Sequence, residues 1–109
     1  MKIPSNLKIG ATIYKIIVKR FIKFSNPNIA GNINYNKRLI TIKKTTDQRA
    51  TEDIFFHELA HGLLKEMEFN YPAVTKFRHD ELFTQELGLN LRKMFLELLR
   101  NQEFGGRSK

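Results

Sequence analysis

The chain of 109 residues contains no cysteine. That absence excludes disulfides, a thiolate metal site and a cysteine nucleophile. A metal here would have to be held by histidine and carboxylate, a donor set that suits Zn²⁺ with one open position. Long apolar runs are missing too. The opening Met1-Lys2-Ile3-Pro4-Ser5-Asn6 is not the apolar stretch of a signal peptide, and no later run is long enough to cross a bilayer. A soluble, cytoplasmic protein with no membrane partner is expected. No repeat, second domain or low-complexity block is found.

Acidic residues are scarce in one half only. Residues 1–50 carry eleven Lys/Arg and a single acid, Asp47, whereas residues 51–109 carry eight Lys/Arg and ten acids. A front half so basic could meet nucleic acid or an acidic protein. No nucleic-acid-binding signature accompanies the charge, however. Lys, Ile and Asn are all plentiful, as in chains encoded by AT-rich genes. The lysines therefore read as a solvating surface, and nucleic acid is not the favoured partner.

An apolar fraction of 41% with 11% aromatics argues for a folded globule. The length fits one domain over 1–109 with a modest core, with 1–7 and 104–109 as loose ends. Leu7 and Ile9, a break at Gly10-Ala11, and then Thr12 to Lys19 read as strand. Both alternating sets of the second run are largely apolar, as in an interior strand. Arg20 to Phe24 continues that strand or bends away, and Ser25-Asn26-Pro27-Asn28 is turn chemistry. Gly31 to Tyr35 and Arg38 to Ile42 form a hairpin about Asn36-Lys37.

A helix then runs from about Thr46 to Glu68. Thr45 with Gln48 fits a capping box, and Thr46 is an equally good N-cap. Pro72 stops continuation, and residues 69–79 form a connector with room for a short helical turn. A second long helix spans about Asp80 to Gln102, with Phe83, Leu87, Leu91, Met94 and Leu98 at three- and four-residue steps. The fold class is α+β: a small antiparallel or mixed sheet of three to four strands on two long helices. Gly88 inside the second helix makes sense if another helix approaches closely there.

The first helix contains His57-Glu58-Leu59-Ala60-His61. Residues four apart share a helix face, so His57 and His61 can hold one zinc ion, with Glu58 beside it as general base. Three fixed identities arise by chance in about one in a few hundred chains of this size. The surroundings add weight. Ile54, Phe55, Phe56, Leu59, Leu63 and Leu64 make this helix apolar nearly all round, so it should be buried. Two histidines and a glutamate there are costly without partners, which a metal would supply.

A zinc site that does chemistry takes three protein ligands and an exchangeable water. No third histidine follows within Gly62 to Glu68, so the ligand must come from further on. Glu81 opens the second helix on the face that continues through Gln85, Gly88 and Arg92. It is the favoured third ligand, with Asp80, His79 and Glu86 as the other candidates. Asp80 is also a candidate N-cap.

With these residues in place, the chain resembles the small gluzincin-type zinc metallopeptidases, especially minimal phage and mobile-element proteins related to the ImmA/IrrE family. The likeness rests on the Lys8–Val18 strand, the Gly31-x-Ile33-x-Tyr35 hairpin, His57-Glu58-Leu59-Ala60-His61-Gly62 and the second helix. The resemblance implies a zincin-like metalloendopeptidase with one Zn²⁺ per chain. It further implies a Glu ligand on the second helix, followed four residues later by an acid or amide that orients a histidine. Glu81 and Gln85 match that spacing, although an acid is commoner than Gln at the second position. It implies a protein substrate bound extended along a sheet edge, and in a phage a transcriptional repressor as target. Tyr71, His79 and Arg78 are candidates for stabilising the oxyanion. The competing expectation is a non-catalytic, zinc-binding module whose basic half docks on nucleic acid or an acidic protein.

Overall fold

The computed structural model describes residues 1–24, 26 and 29–105, the last four of these by backbone alone. Four strands, β1 (Asn6–Ile9), β2 (Thr12–Lys19), β3 (Gly31–Asn34) and β4 (Leu39–Lys43), precede three helices, α1 (Gln48–Asn70), α2 (Thr75–Arg78) and α3 (Glu81–Gly105). The fold is α+β, as expected, although only α1 and α3 are long. A 3₁₀ turn at Pro72–Val74 and the four-residue α2 fill the connector.

The sheet order is β1-β2-β4-β3, with β2 and β4 parallel and the two outer pairs antiparallel. β2 is interior, as its doubly apolar pattern requires. Gly10 turns β1 into β2 at φ +61°, with Ile9 opposite Thr12. A positive φ at the first of two central residues suits glycine, which has no Cβ to clash. β2 ends at Lys19, so the segment from Arg20 onward bends away. Of the expected turn at 25–28, only Asn26 lies within the described residues; of the expected loose tail at 104–109, residues 104 and 105 instead complete α3, and the rest lies outside the described residues.

Three expectations are corrected. Residues 1–7 are not a loose lead-in: β1 starts at Asn6, Ser5 accepts a hydrogen bond from Ile16 N at 2.8 Å, and Met1 and Ile3 pack on the core. The hairpin turns through four residues, 35–38, because Asn34 pairs with Leu39. Arg38, not an asparagine, takes the positive φ, at 53°. The cap of α1 is Asp47, whose carboxylate accepts from Arg49 N at 3.0 Å. Thr45 Oγ1 instead accepts from Asp47 N at 3.2 Å and lies 3.0 Å from Thr51 Oγ1, which braces the cap from outside.

The core lies between the sheet and α1. Tyr14, Ile16, Ile40 and Ile42 point from the sheet onto Phe55, Phe56 and Leu59, all of them buried. Each large apolar side chain so buried contributes about 1.5–3 kcal/mol over leaving it exposed. Helix α3 then packs along the far side of α1, with Phe95 against Phe56 at a ring separation of 5.5 Å. Among the described residues no helix is long and apolar enough to cross a membrane.

Candidate metal centre

Three elements converge on the middle of α1. The helical repeat carries His57, Glu58 and His61 to the side between β3 and α3, while Phe55, Phe56 and Leu59 face the core. Glycine fixes both approaches. A Cβ on Gly88 of α3 would lie 2.9 Å from Phe56 O and 3.1 Å from His57 Cα. A Cβ on Gly31 of β3 would lie 2.7 Å from Ile54 Cγ2 and 3.1 Å from Glu58 Cγ. Both elements therefore come closer than any side chain would allow, and Glu81, two turns before Gly88, is brought over the histidines.

The three donors nearly touch. His57 Nε2 lies 3.1 Å from Glu81 Oε2, His61 Nε2 lies 3.2 Å from Glu81 Oε1, and the two Nε2 atoms are 3.2 Å apart. For zinc–nitrogen bonds of about 2.0–2.1 Å, adjacent corners of a tetrahedron stand about 3.3 Å apart. The two histidine nitrogens fit two such corners, and Glu81 turns one oxygen to each histidine, with one ligand atom from each of the three residues lying within 4.8 Å of the others. A proton can bridge only one of these contacts at a time, whereas a cation among them would face all the donors. The Glu81 side chain is 71% exposed, so the fourth side is open to solvent. Among the described residues this is the one His/Cys/Asp/Glu group with metal-holding geometry. Burial, partly opposed by the Glu81 carboxylate, holds the His61 imidazole below its ordinary pKa, and His57 and Arg78 push it the same way. The ring is then neutral at physiological pH, as ligation requires.

Glu58 is 6% exposed, and no hydrogen-bond donor offsets its burial. Burial first, and then the Glu81 charge, pushes its carboxyl up to about 7. A carboxyl that exchanges its proton near neutral pH suits general acid–base work. The group lines a cleft of about 570 Å³ with both histidines, Glu81 and Gln85, walled by Ile54 and Leu89.

The remaining candidates lie apart. Asp80 caps α3, its carboxylate accepting from Phe83 N at 3.0 Å. Glu86 faces Asn90 on the exposed side of α3. Tyr71 caps the end of α1 and is exposed, and exposed His79 follows α2; neither lines the cleft. Gln85 does line it, one turn beyond Glu81. Arg78 is bound to Glu68 at 2.7 Å and reaches Tyr35, which accepts a hydrogen bond from it.

Sequence reasoning missed Tyr35. It shares a second cavity, of about 250 Å³, with Glu58 and His61. Burial chiefly raises its pKa, against the pull of Arg78, so the phenol keeps its proton and can donate it. The only sequence signal was its two-residue step from Ile33 on the strand nearest α1. No family model, curated protein or solved structure matches the chain.

Proposed function

We propose that this chain is a zinc-dependent metalloendopeptidase, holding one Zn²⁺ through His57, His61 and Glu81 and working in the cytoplasm. The observation that carries the reading is the cluster of two histidine nitrogens and the Glu81 carboxylate, one ligand atom of each within 4.8 Å of the others, beside a buried carboxyl that titrates near 7. When bound, the metal supplies a Lewis acid that acidifies water and polarises a carbonyl. Glu58 takes a proton from the attacking water and later gives it to the departing amine. β3 is an edge strand whose Gly31 lies against Glu58, so an extended peptide pairing there passes the reacting groups. The resemblance to phage and mobile-element peptidases favours a regulatory protein as the substrate.

Metal analysis tests the first step. Purified protein is expected to hold close to one zinc per chain, and His57→Ala and His61→Ala each to abolish it. Glu81→Ala should weaken binding by at least ~10²-fold, beyond what losing a supporting partner costs, and Glu86→Ala should not. A folded protein that cannot be loaded with Zn²⁺ would sink the proposal. For the second step, Glu58→Gln should keep its zinc and lose ~10²–10⁴-fold in turnover of a fluorogenic peptide mixture. Zinc binding with no turnover in wild type, and no effect of Glu58→Gln, would leave a binding module instead.

A further inference from the structure

The helices cover one face of the sheet and leave the other open. Tyr14 and Ile16 of β2 are buried beneath α1, so the intervening residues Ile13, Lys15, Ile17 and Lys19 point outward. Along this strand, apolar and basic side chains alternate at steps of about 6.6 Å. Ile13 is 61% exposed, an apolar side chain left in water near the β1–β2 turn. The neighbouring strands extend the charge. Lys8 stands opposite Ile13, and Lys43 stands directly opposite Lys19.

Two features go beyond a face that is merely solvated. The Lys19–Lys43 pair places like charges side by side, which weakens a sheet rather than stabilising it. The four strands also contain no acid to offset them. Asp47, the sole acid of residues 1–50, uses its carboxylate to cap α1. The positive face is thus uncompensated from within its own half of the chain.

We infer that this open face docks an acidic segment of a partner protein in which carboxylates and aliphatic side chains take turns at every second residue, as in a Glu-x-Leu-x repeat. Such a segment in extended form repeats at the pitch of β2, setting carboxylates on Lys15 and Lys19 and apolar groups on Ile13 and Ile17. A nucleic acid supplies phosphates but nothing to cover the isoleucines. Within the four strands no outward position carries an aromatic ring on which a base could stack, and exposed Phe21, two residues beyond Lys19, offers a single ring past the end of β2. The face lies across the sheet from the metal centre, so the inference stands whether or not the chain is a peptidase.

The probes are a synthetic peptide repeating Glu-Ser-Leu-Ser (the Glu/Leu peptide), a Glu/Ser peptide of equal charge with serine in place of leucine, and single- and double-stranded oligonucleotides of equal charge. The full-length chain should bind the Glu/Leu peptide at low salt, ~10-fold more tightly than the Glu/Ser peptide, because apolar area is covered only by the former. Rising salt should weaken binding. Lys15→Glu with Lys19→Glu should reduce affinity at least ~10-fold, since attraction becomes repulsion. Ile13→Thr should narrow the gap between the two peptides. Amide shifts in the wild-type protein should concentrate on β2 and β4, a measurement that does not depend on any variant folding. Equal affinity for the two peptides, shifts clustered elsewhere, or an oligonucleotide binding as tightly as the Glu/Leu peptide would each overturn the inference.

Discussion

Gly88 lies against the backbone of His57, with space for a hydrogen atom and not for a methyl group. In an exposed helix, Gly→Ala gains about 1 kcal/mol from propensity. Here the sign should reverse. A Cβ must push α3 away from Phe56 O and His57 Cα, which are backbone atoms that cannot rotate aside, and overpacking of that kind costs about 1–3 kcal/mol. Gly88→Ala should therefore lower the thermal midpoint. It should also weaken zinc affinity, because Glu81 rides on the displaced helix. Thermal unfolding and zinc titration of the same sample would check both; a stabilised variant would show that the two helices are not clamped there.

Glu58 gives a pH signature in metal-free protein. Its folded pKa of about 7 lies above the ordinary value of 4.5, so the native state binds the extra proton between those values. Its stabilising contribution is complete below about pH 4.5 and is lost as pH rises through about 7. The loss amounts to about 3 kcal/mol, from the size of the shift. Denaturant unfolding in chelator should show stability falling over this window, with the slope removed in Glu58→Gln.

Tyr35 lines a cavity with Glu58 and His61, which makes it the candidate donor to a developing oxyanion. If the chain hydrolyses peptides, Tyr35→Phe should keep zinc and lose ~10²–10³-fold in kcat, the usual effect of removing one such donor. Tyr71→Phe and His79→Ala, both outside the cleft, should change kcat little. The opposite pattern would move the role away from the hairpin.

Arg92 joins the helices at the buried end. Its guanidinium lies 3.2 Å from Glu52 Oε1 and 3.4 Å from Asp53 Oδ1, and Glu52 is only 5% exposed. Arg92→Met keeps much of the side-chain volume but leaves the buried Glu52 carboxylate with only the Met1 amino group and Gln48 Nε2 as partners. A loss of about 1.5–3 kcal/mol is expected, the size of a hydrogen bond to a charged group. Adding Glu52→Gln should recover part of it. Additive losses in the double-mutant cycle would mean that the two side chains are not coupled.

Much of this arrangement was legible in the sequence because it rests on periodicity. The four-residue step from His57 to His61 and the stripe of Phe83, Leu87 and Leu91 are properties of a helix wherever it packs. Glu81 was readable because Gln85, Gly88 and Arg92 share its face, and that face does meet α1. The cap of α1 was less legible, since Thr45, Thr46 and Asp47 are all competent, and the local contact of Thr45 with Thr51 in the start of the helix favours Asp47 among them. Arg38 was unreadable for a related reason. The register of β3 on β4 imposes its positive φ, against the residue's own preference. Tyr35 depends on the contact of β3 with α1, which no local pattern encodes.

The glycine at position 31 has a further consequence. Beside Glu58 the floor of the cleft is main chain, and any side chain placed there would collide with Ile54. Shape at that point cannot be altered by substitution without moving the strand or Ile54. Whatever the cleft binds, its contours can be changed more freely on the opposite bank, where Gln85 and Leu89 line it from α3, and at Ile29 just ahead of β3. If the chain is a peptidase, redesigning it for a different sequence of cleavable residues would begin at those positions.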